Sequence, residues 1–348
     1  MGRAPATTPA DGRRPTMRDV AAHARVSFKT VSRVVNDEGG VSPALVERVR
    51  RAIDELDFRP NVGARNLRRS DRRTSSVGLL LENVGNPYSA ALQRAVEDVA
   101  TPRGVIVFSG SVDEDPARER ALVRAFSARR ADGLLLVPAS DDLSYLDSEL
   151  RAGMAVVCVD REAHGLAVDS VVTTNALGAA EGVRHLAAAG HRRIAYLGDR
   201  RGIVTAQQRY EGYREALARL GIPLDPSLVV PDLTSSSRSD GAVIRLLDRP
   251  DPPTALFTAQ NLVTIGAIHA LRRTGSERRV AVVGFDDFPL ADLLSPGVTV
   301  VAQDPTSIGR LAATLLFDRI AGHGGPPTTH VVPTTLVRRG SGEIPAPS

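Results

Sequence analysis

The sequence predicts an α/β protein in two parts: a small N-terminal bundle of three helices, and a long body built on parallel sheets. Three observations predict it. Residues 16–56 carry tightly punctuated helical periodicity. From Val77 onward, short apolar runs alternate with helical stretches. The charge also changes sign between the two parts: residues 1–73 hold 16 Lys/Arg against 9 Asp/Glu, net +7, leaving 28 against 31, net −3, for the remainder. A chain of 348 residues is too long for one ordinary domain, and 42% apolar composition suffices for a large core. The basic end is the end suited to a polyanion.

The N-terminal elements follow from their caps. Thr16 caps a first helix with Val20, Ala21 and Ala24 at helical spacing, and Ser27 caps a second that runs to about Val35 with Val31, Val34 and Val35 inward. Two helices this short need a third to close a core. Ser42–Leu56 supplies it with Leu45, Val49, Ala52, Ile53 and Leu56. Helices joined by a three-residue corner make a helix-turn-helix bundle. The outward side of the second helix carries Phe28, Lys29, Thr30, Ser32, Arg33 and Asn36, all donors but for one aromatic, and no acid. A merely solvated face would mix signs. Lys29 is the sole lysine of a chain that otherwise uses arginine.

The segments DVAAHARVSFKTVSRVVND, VSPALVERVRRAIDELDFRPN and ARNLR resemble the DNA-binding headpiece of the lactose-repressor (LacI/GalR) family of bacterial transcription regulators. The resemblance continues through nearly all of the remaining chain. It implies that Phe28, Lys29 and Arg33 read bases, the two cations donating to guanine O6 and N7 and Phe28 pressing on a thymine methyl. Ser27, Thr30, Ser32 and Asn36 would hold phosphates. Arg25 stands at the corner where the family usually has Gly or Asn; a left-handed conformation there costs a non-glycine residue about 1 kcal/mol.

Residues 1–15 hold Pro, Arg and small residues and read as a disordered arm, neither signal peptide nor membrane anchor. After Pro60, the segment to residue 69 contains Gly63 and little to bury, so alone it is a poor helix. By resemblance it is the family's hinge helix, ordered on DNA: Leu67 wedges into the minor groove, Ala64 packs hinge on hinge, and Arg65, Arg68 and Arg69 meet phosphates.

In the body, Val77–Leu81, Val105–Phe108, Gly133–Val137 and Ala155–Val159 read as strands, then again Ile194–Leu197, Ser227–Val230, Ala255–Phe257 and Val280–Val283. Helical stretches separate them, so two similar halves are expected, with a ligand site beyond the carboxyl ends of the strands and between the halves. The resemblance implies a body similar to a periplasmic sugar-binding protein, with crossovers near Asp160–Arg161, after Gly284–Asp287 and around Gly322–Pro326. The expected division is arm 1–15, DNA-binding domain 16–59, hinge and linker 60–76, body 77–340 and tail 341–348. Within the body, a first subdomain covers about 77–160 and 288–322, and a second about 161–287 and 323–340. Carried over residue by residue, Tyr88 stacks on an effector, Asp160 and Arg161 end the fourth strand at the cleft, Arg209 grips the ligand and Asn261 replaces a common Asp. Gln260, Ser89 and Thr174 also depart from the family's usual residues. An amide for a carboxylate keeps a hydrogen-bonding site but removes a charge-assisted acceptor.

Other chemistries lack support. There is no GxGxxG or GxxxxGK[ST] turn for nucleotide phosphates, no HExxH or CxxC spacing for a metal, and no GxSxG nucleophile. Asp286 and Asp287 are paired, but in a strand-end turn that suits ligand or backbone contacts. The one cysteine, Cys158, lies in an apolar run and reads as a buried small hydrophobe. The expectation is therefore no enzyme, no cofactor and no metal, in a cytoplasmic homodimer that binds a pseudo-palindromic operator and a small polar effector such as a sugar, with no membrane partner. The tail lacks leucine heptads that would tetramerise it. The alternative, a ligand-binding protein without DNA regulation, would carry an export signal and no headpiece.

Overall fold

The computed structural model describes residues 13–59 and 73–347. They fall into two compact units divided between Thr74 and Ser75.

The first unit contains α1 (Met17–Ala24), α2 (Phe28–Val35) and α3 (Pro43–Glu55). Val20, Ala21, Ala24, Val31, Val49, Ala52, Leu56 and Phe58 form its core. The Asp19 carboxylate closes the N-terminus of α1: it accepts from Thr16 N and Oγ1, each at 2.7 Å, and both terminal nitrogens of Arg13 reach it at 2.9 Å. Arg13 first, then Thr16, holds this carboxyl far below the usual carboxylate range. At the corner Arg25 is left-handed, φ 52°. Its carbonyl takes a long hydrogen bond from Arg48 of α3 (3.4 Å), and His23 Nε2 lies 2.6 Å from Glu55 Oε2, so α3 braces α1 at two points.

The second unit has two six-stranded sheets. The first takes β1 (Ser76–Leu81), β2 (Ile106–Ser111), β3 (Gly133–Leu136), β4 (Ala155–Val159) and β5 (Asp169–Thr173), with α4 (Pro87–Ala100), α5 (Pro116–Ala128) and α6 (Asp147–Arg151) between strands. After α7 (Asn175–Ala188) the second sheet takes β6 (Ile194–Leu197), β7 (Val229–Val230), β8 (Ala255–Thr258), β9 (Ala281–Phe285) and β10 (Thr299–Ala302), joined through α8 (Val204–Arg219), α9 (Ser236–Leu247) and α10 (Asn261–Arg273). The chain then returns: α11 (Pro305–Ile320) packs under the first sheet, β11 (Thr329–Val332) joins that sheet, and β12 (Thr335–Val337) joins the second.

Strand order is β11-β5-β4-β3-β1-β2 in one lobe and β12-β10-β9-β8-β6-β7 in the other, the same doubly wound order twice. All pairs are parallel except β10 with β12. The inner strands β1, β3, β4, β6, β8 and β9 are covered on both faces, so they are apolar nearly throughout rather than alternating, while the edge strands β2, β7, β11 and β12 are partly exposed. Gly212 of α8 lies so close to α7 that a Cβ there would fall 2.1 Å from the Ala176 carbonyl oxygen; glycine permits this helix pair.

Two points differ from expectation. The crossovers lie at Thr174, at 303–304 and at 333–334, so residues 161–173 belong to the first lobe, β10 to the second and β11 to the first. The physical reason is pairing: β5 continues the first sheet against β4, and β10 continues the second against β9. The segment Ser227–Val230 is a strand only at Val229–Val230, its start being a single 3-10 turn capped by Asp225. The tail is also seated: Glu343 Oε1 lies 2.7 Å from His185 Nε2, and Ala346 N donates to Ala189 O at 3.0 Å.

Threonines knit two of the three crossovers. Thr173 Oγ1 donates to Val332 O at 2.7 Å, Thr174 and Thr334 share a hydroxyl contact at 3.0 Å, and Thr334 N donates to Thr174 Oγ1 at 3.0 Å.

Candidate functional site

In the first unit, Val31 seats α2 on the bundle at zero exposure, which turns Phe28 (44% exposed) and Lys29 outward. Ser27 Oγ accepts from Thr30 N at 3.1 Å and lies 2.9 Å from Thr30 Oγ1, so two expected phosphate-binding residues cap the helix. Arg33 is half-buried, and Asn36 Nδ2 donates to Ser32 Oγ at 3.3 Å. Ala64 and Leu67 lie outside the described residues.

In the second unit, the carboxyl ends of both sheets face one cleft. Glu82 follows β1, Asp160 and Arg161 follow β4, Asp199 lies two residues past β6, Gln260 past β8, Asp286 ends β9 and Gln303 leaves β10; all of them line it, with Tyr88 and Arg209. Asp160 (φ 68°) and Asp286 (φ 67°) are both left-handed, and each gives its N–H to the next strand, to Val171 O at 2.8 Å and to Val301 O at 2.9 Å. Strained turns of this kind at a strand end throw the side chain into the cleft. The cleft is narrow and partly open, with a volume of about 50 Å³, against ~300–1,000 Å³ for pockets that hold small ligands. The lobes are closed on each other.

Arg209 is the centre. Its Nε donates to Asn175 Oδ1 at 2.8 Å, and Nη1 donates to Ala259 O at 2.8 Å and Asp286 Oδ2 at 3.3 Å, while the guanidinium stands 3.9 Å over the Phe285 ring. Nη2 has no hydrogen-bond partner among the described residues. Arg161 is likewise buried, its terminal nitrogens spent on Glu114 and the Pro138 carbonyl, with Nε 3.6 Å from Asp160. Gln303 Nε2 donates to Asp286 Oδ1 at 2.7 Å.

Burial dominates the protonation of the remaining acids. It pushes the Glu82 carboxyl up to about 7, with Glu114 and Asp199 adding repulsion, and raises Asp160 and Asp199 from the ordinary aspartate range. The Tyr88 phenol is raised by burial in the same way, and its hydroxyl finds no partner among the described residues. Cys158, within β4, is fully buried and its thiol is pushed up to about 12, again by burial.

The structure places Tyr88, Asp160, Arg161 and Arg209 along the cleft, and Asn261 just behind its lining. That side chain is fully buried outside the cleft lining. As the first residue of α10 it turns back to its own helix and across to the other lobe, Oδ1 accepting from Leu262 N at 2.7 Å and Nδ2 donating to Asn86 Oδ1 at 2.8 Å. It clasps the lobes. Its neighbour Gln260 lines the cleft instead, with Oε1 capping α10. Glu82, Glu114, Asp199 and Gln303 were not anticipated. The available signal was an acid or amide closing an apolar run, as in LLLE or VAQ. Asp287, the other paired acid, takes Arg339 through both oxygens.

Among the described residues no helix is long and apolar enough to cross a membrane, and no cluster of three or more His, Cys, Asp or Glu is set to hold a metal.

Residues 16–61 match the family model for bacterial regulatory proteins of the lacI family, and 183–342 match the periplasmic binding protein-like domain. The chain is 32% identical over 326 residues to the ribose operon repressor of Halalkalibacterium halodurans, covering 93% of this chain and 96% of that protein. It is 36% identical over 341 residues to the transcriptional regulator CelR of Thermobifida fusca, covering 95% and 99%. Among solved structures, the Lac repressor dimer bound to operator and an anti-inducer superposes with a TM-score of 0.81 at 26% identity, covering 95% of this chain and 99% of that one. With helix-turn-helix headpiece and two-lobed body both matched along the chain, this protein belongs to the lacI family of bacterial regulatory proteins and is a DNA-binding transcriptional regulator, not an enzyme.

Proposed function

We propose that the chain is a homodimeric repressor that reads a pseudo-palindromic operator and responds to a small, sugar-like effector held in the interlobe cleft. The observation that carries this reading is the convergence of polar side chains from the carboxyl ends of both sheets on one narrow cleft. A ligand touching both lobes favours one relative orientation of them. The relatives' names, a ribose operon repressor and a CelR–cellobiose complex, support a sugar. Lys29, Phe28 and Arg33 are assigned to bases and Ser27, Thr30, Ser32 and Asn36 to phosphates, with Leu67 and Ala64 at the minor groove; cap residues reach phosphate with the hydroxyl face the helix leaves open. Dimerisation is supported by apolar side chains left in solvent, Ile106 (60% exposed) and Phe108 (45%) on one face of β2, and Leu290 (64%) and Leu293 (75%) after β9.

The test is a selection of operator DNA by the full chain, followed by titration of sugars against the complex. The isosteric Asp160→Asn variant, whose left-handed backbone asparagine tolerates, is expected to keep operator binding and lose the effector response. A ligand that binds the body yet leaves DNA affinity unchanged refutes the coupling.

A further inference from the structure

The charge inside the cleft narrows the effector. Five carboxyl groups and two guanidiniums line it, so the acids outnumber the cations by three. Both cations are already committed, Arg161 to Glu114 and Arg209 to Asp286. Glu82, Asp160 and Asp199 remain. Glu82 has only a 3.5 Å bond from Asn86 Nδ2, Asp199 accepts the backbone N–H of Arg200, and Asp160 has Arg161 Nε no nearer than 3.6 Å. Asp160 keeps only that long contact to Arg161, Glu82 and Asp199 have no ion pair among the described residues, and partly buried carboxylates gathered in one cleft repel one another. A second, independent feature calls for a hydrogen-bond donor on the ligand: Gln303 is 9% exposed, lines the cleft, and its Oε1 has no donor among the described residues.

A neutral polyol would supply hydroxyl donors to these oxygens but leave the charge in place. A protonated amine supplies three donors and the missing positive charge together. Tyr88 offers it an aromatic wall. We propose that the effector is a polyhydroxylated compound carrying a protonated amino group, an amino sugar or amino polyol, with the ammonium among Glu82, Asp160 and Asp199. This rests on the reading of the cleft as the effector site and departs from the neutral sugars in the relatives' names.

The test is a paired panel on the full chain at pH 7: D-glucose with D-glucosamine, D-galactose with D-galactosamine, D-mannose with D-mannosamine, each followed by thermal shift and calorimetry. At least one amine is expected to raise Tm and bind tenfold or more tighter than its hydroxyl partner. Asp199→Asn and Asp160→Asn, which remove a charge without changing shape, should each cut that preference to threefold or less. Hydroxyl members that bind as tightly as the amines, a panel in which no amine shifts Tm, or an amine preference that survives both substitutions each overturn the proposal. Where a neutral sugar binds and Tyr88→Ala abolishes it, the cleft stands and only the charge assignment fails. Where binding of any member is indifferent to Tyr88→Ala, the cleft reading falls as well.

Discussion

Glu82→Gln separates burial from ordinary surface acidity. In the folded body the Glu82 carboxyl titrates at about 7, in the unfolded chain near 4.5. The unfolded chain therefore releases this proton first, and raising pH from about 4.5 to about 7 draws the equilibrium toward unfolding. The gap between the two values, at ~1.4 kcal/mol per pH unit, is ~3 kcal/mol of native-state cost fully present above pH 7. Glutamine keeps the shape and the weak contact to Asn86 and removes the charge. We expect a gain of ~2 kcal/mol at pH 8, or ~4–8 °C in Tm for a body of this size, shrinking below ~0.5 kcal/mol near pH 4.5. The assay is direct, because the chain has no Trp and all five Tyr lie beyond residue 87, so tyrosine emission reports the body alone. A gain independent of pH, or a loss at pH 8, would refute the claim that burial and neighbouring acids hold this carboxyl up.

Three further outcomes are expected. Lys29→Ala should cost ~1–3 kcal/mol of operator binding and relax preference at one base pair per half-site; selection returning the same operator consensus rules out base reading by Lys29. Arg25→Gly should stabilise the headpiece by ~0.5–1 kcal/mol by relieving the left-handed arginine, seen as slower amide exchange in α1 and α2, and faster exchange contradicts it. Gly212→Ala should destabilise the body by ~1–3 kcal/mol or more through the clash with the Ala176 carbonyl, and an unchanged melting temperature shows that α7 and α8 are free to part.

The headpiece was legible because local chemistry decides it: Ser27 caps α2 and Val31 seats it, both within one turn of chain. The alternation of strand and helix in the body was legible for the same reason. Sheet membership was not. β5 and β10 are short runs whose partner sheet is fixed by edge pairing over long range, so the crossovers were expected too early or assigned to the wrong lobe. α7 (NALGAAEGVRHLAA) hid behind two glycines, of which Gly178 would clash with Thr334 and Gly182 with Phe257 if they carried a Cβ; they serve packing and weaken the helical signal. In the cleft, a resemblance placed single residues well but could not count charges. The excess of carboxylate arises only when the ends of β1, β2, β4, β6 and β9 meet, and Glu82, Glu114 and Asp199 are scattered over more than a hundred residues.

The three crossovers, two of them knit by Thr173, Thr174 and Thr334, decide which mechanical freedoms the body keeps. A single tether would let one lobe swivel about it, and two would still allow twisting about the line between them. Three strands of chain, two of them cross-bonded by hydroxyls, resist both and leave bending across the seam as the soft coordinate. Gln303 sits in one of these tethers and holds Asp286 in the cleft. Whatever a ligand does to Asp286 is thereby felt at the seam itself, and the body's response reduces to one angle.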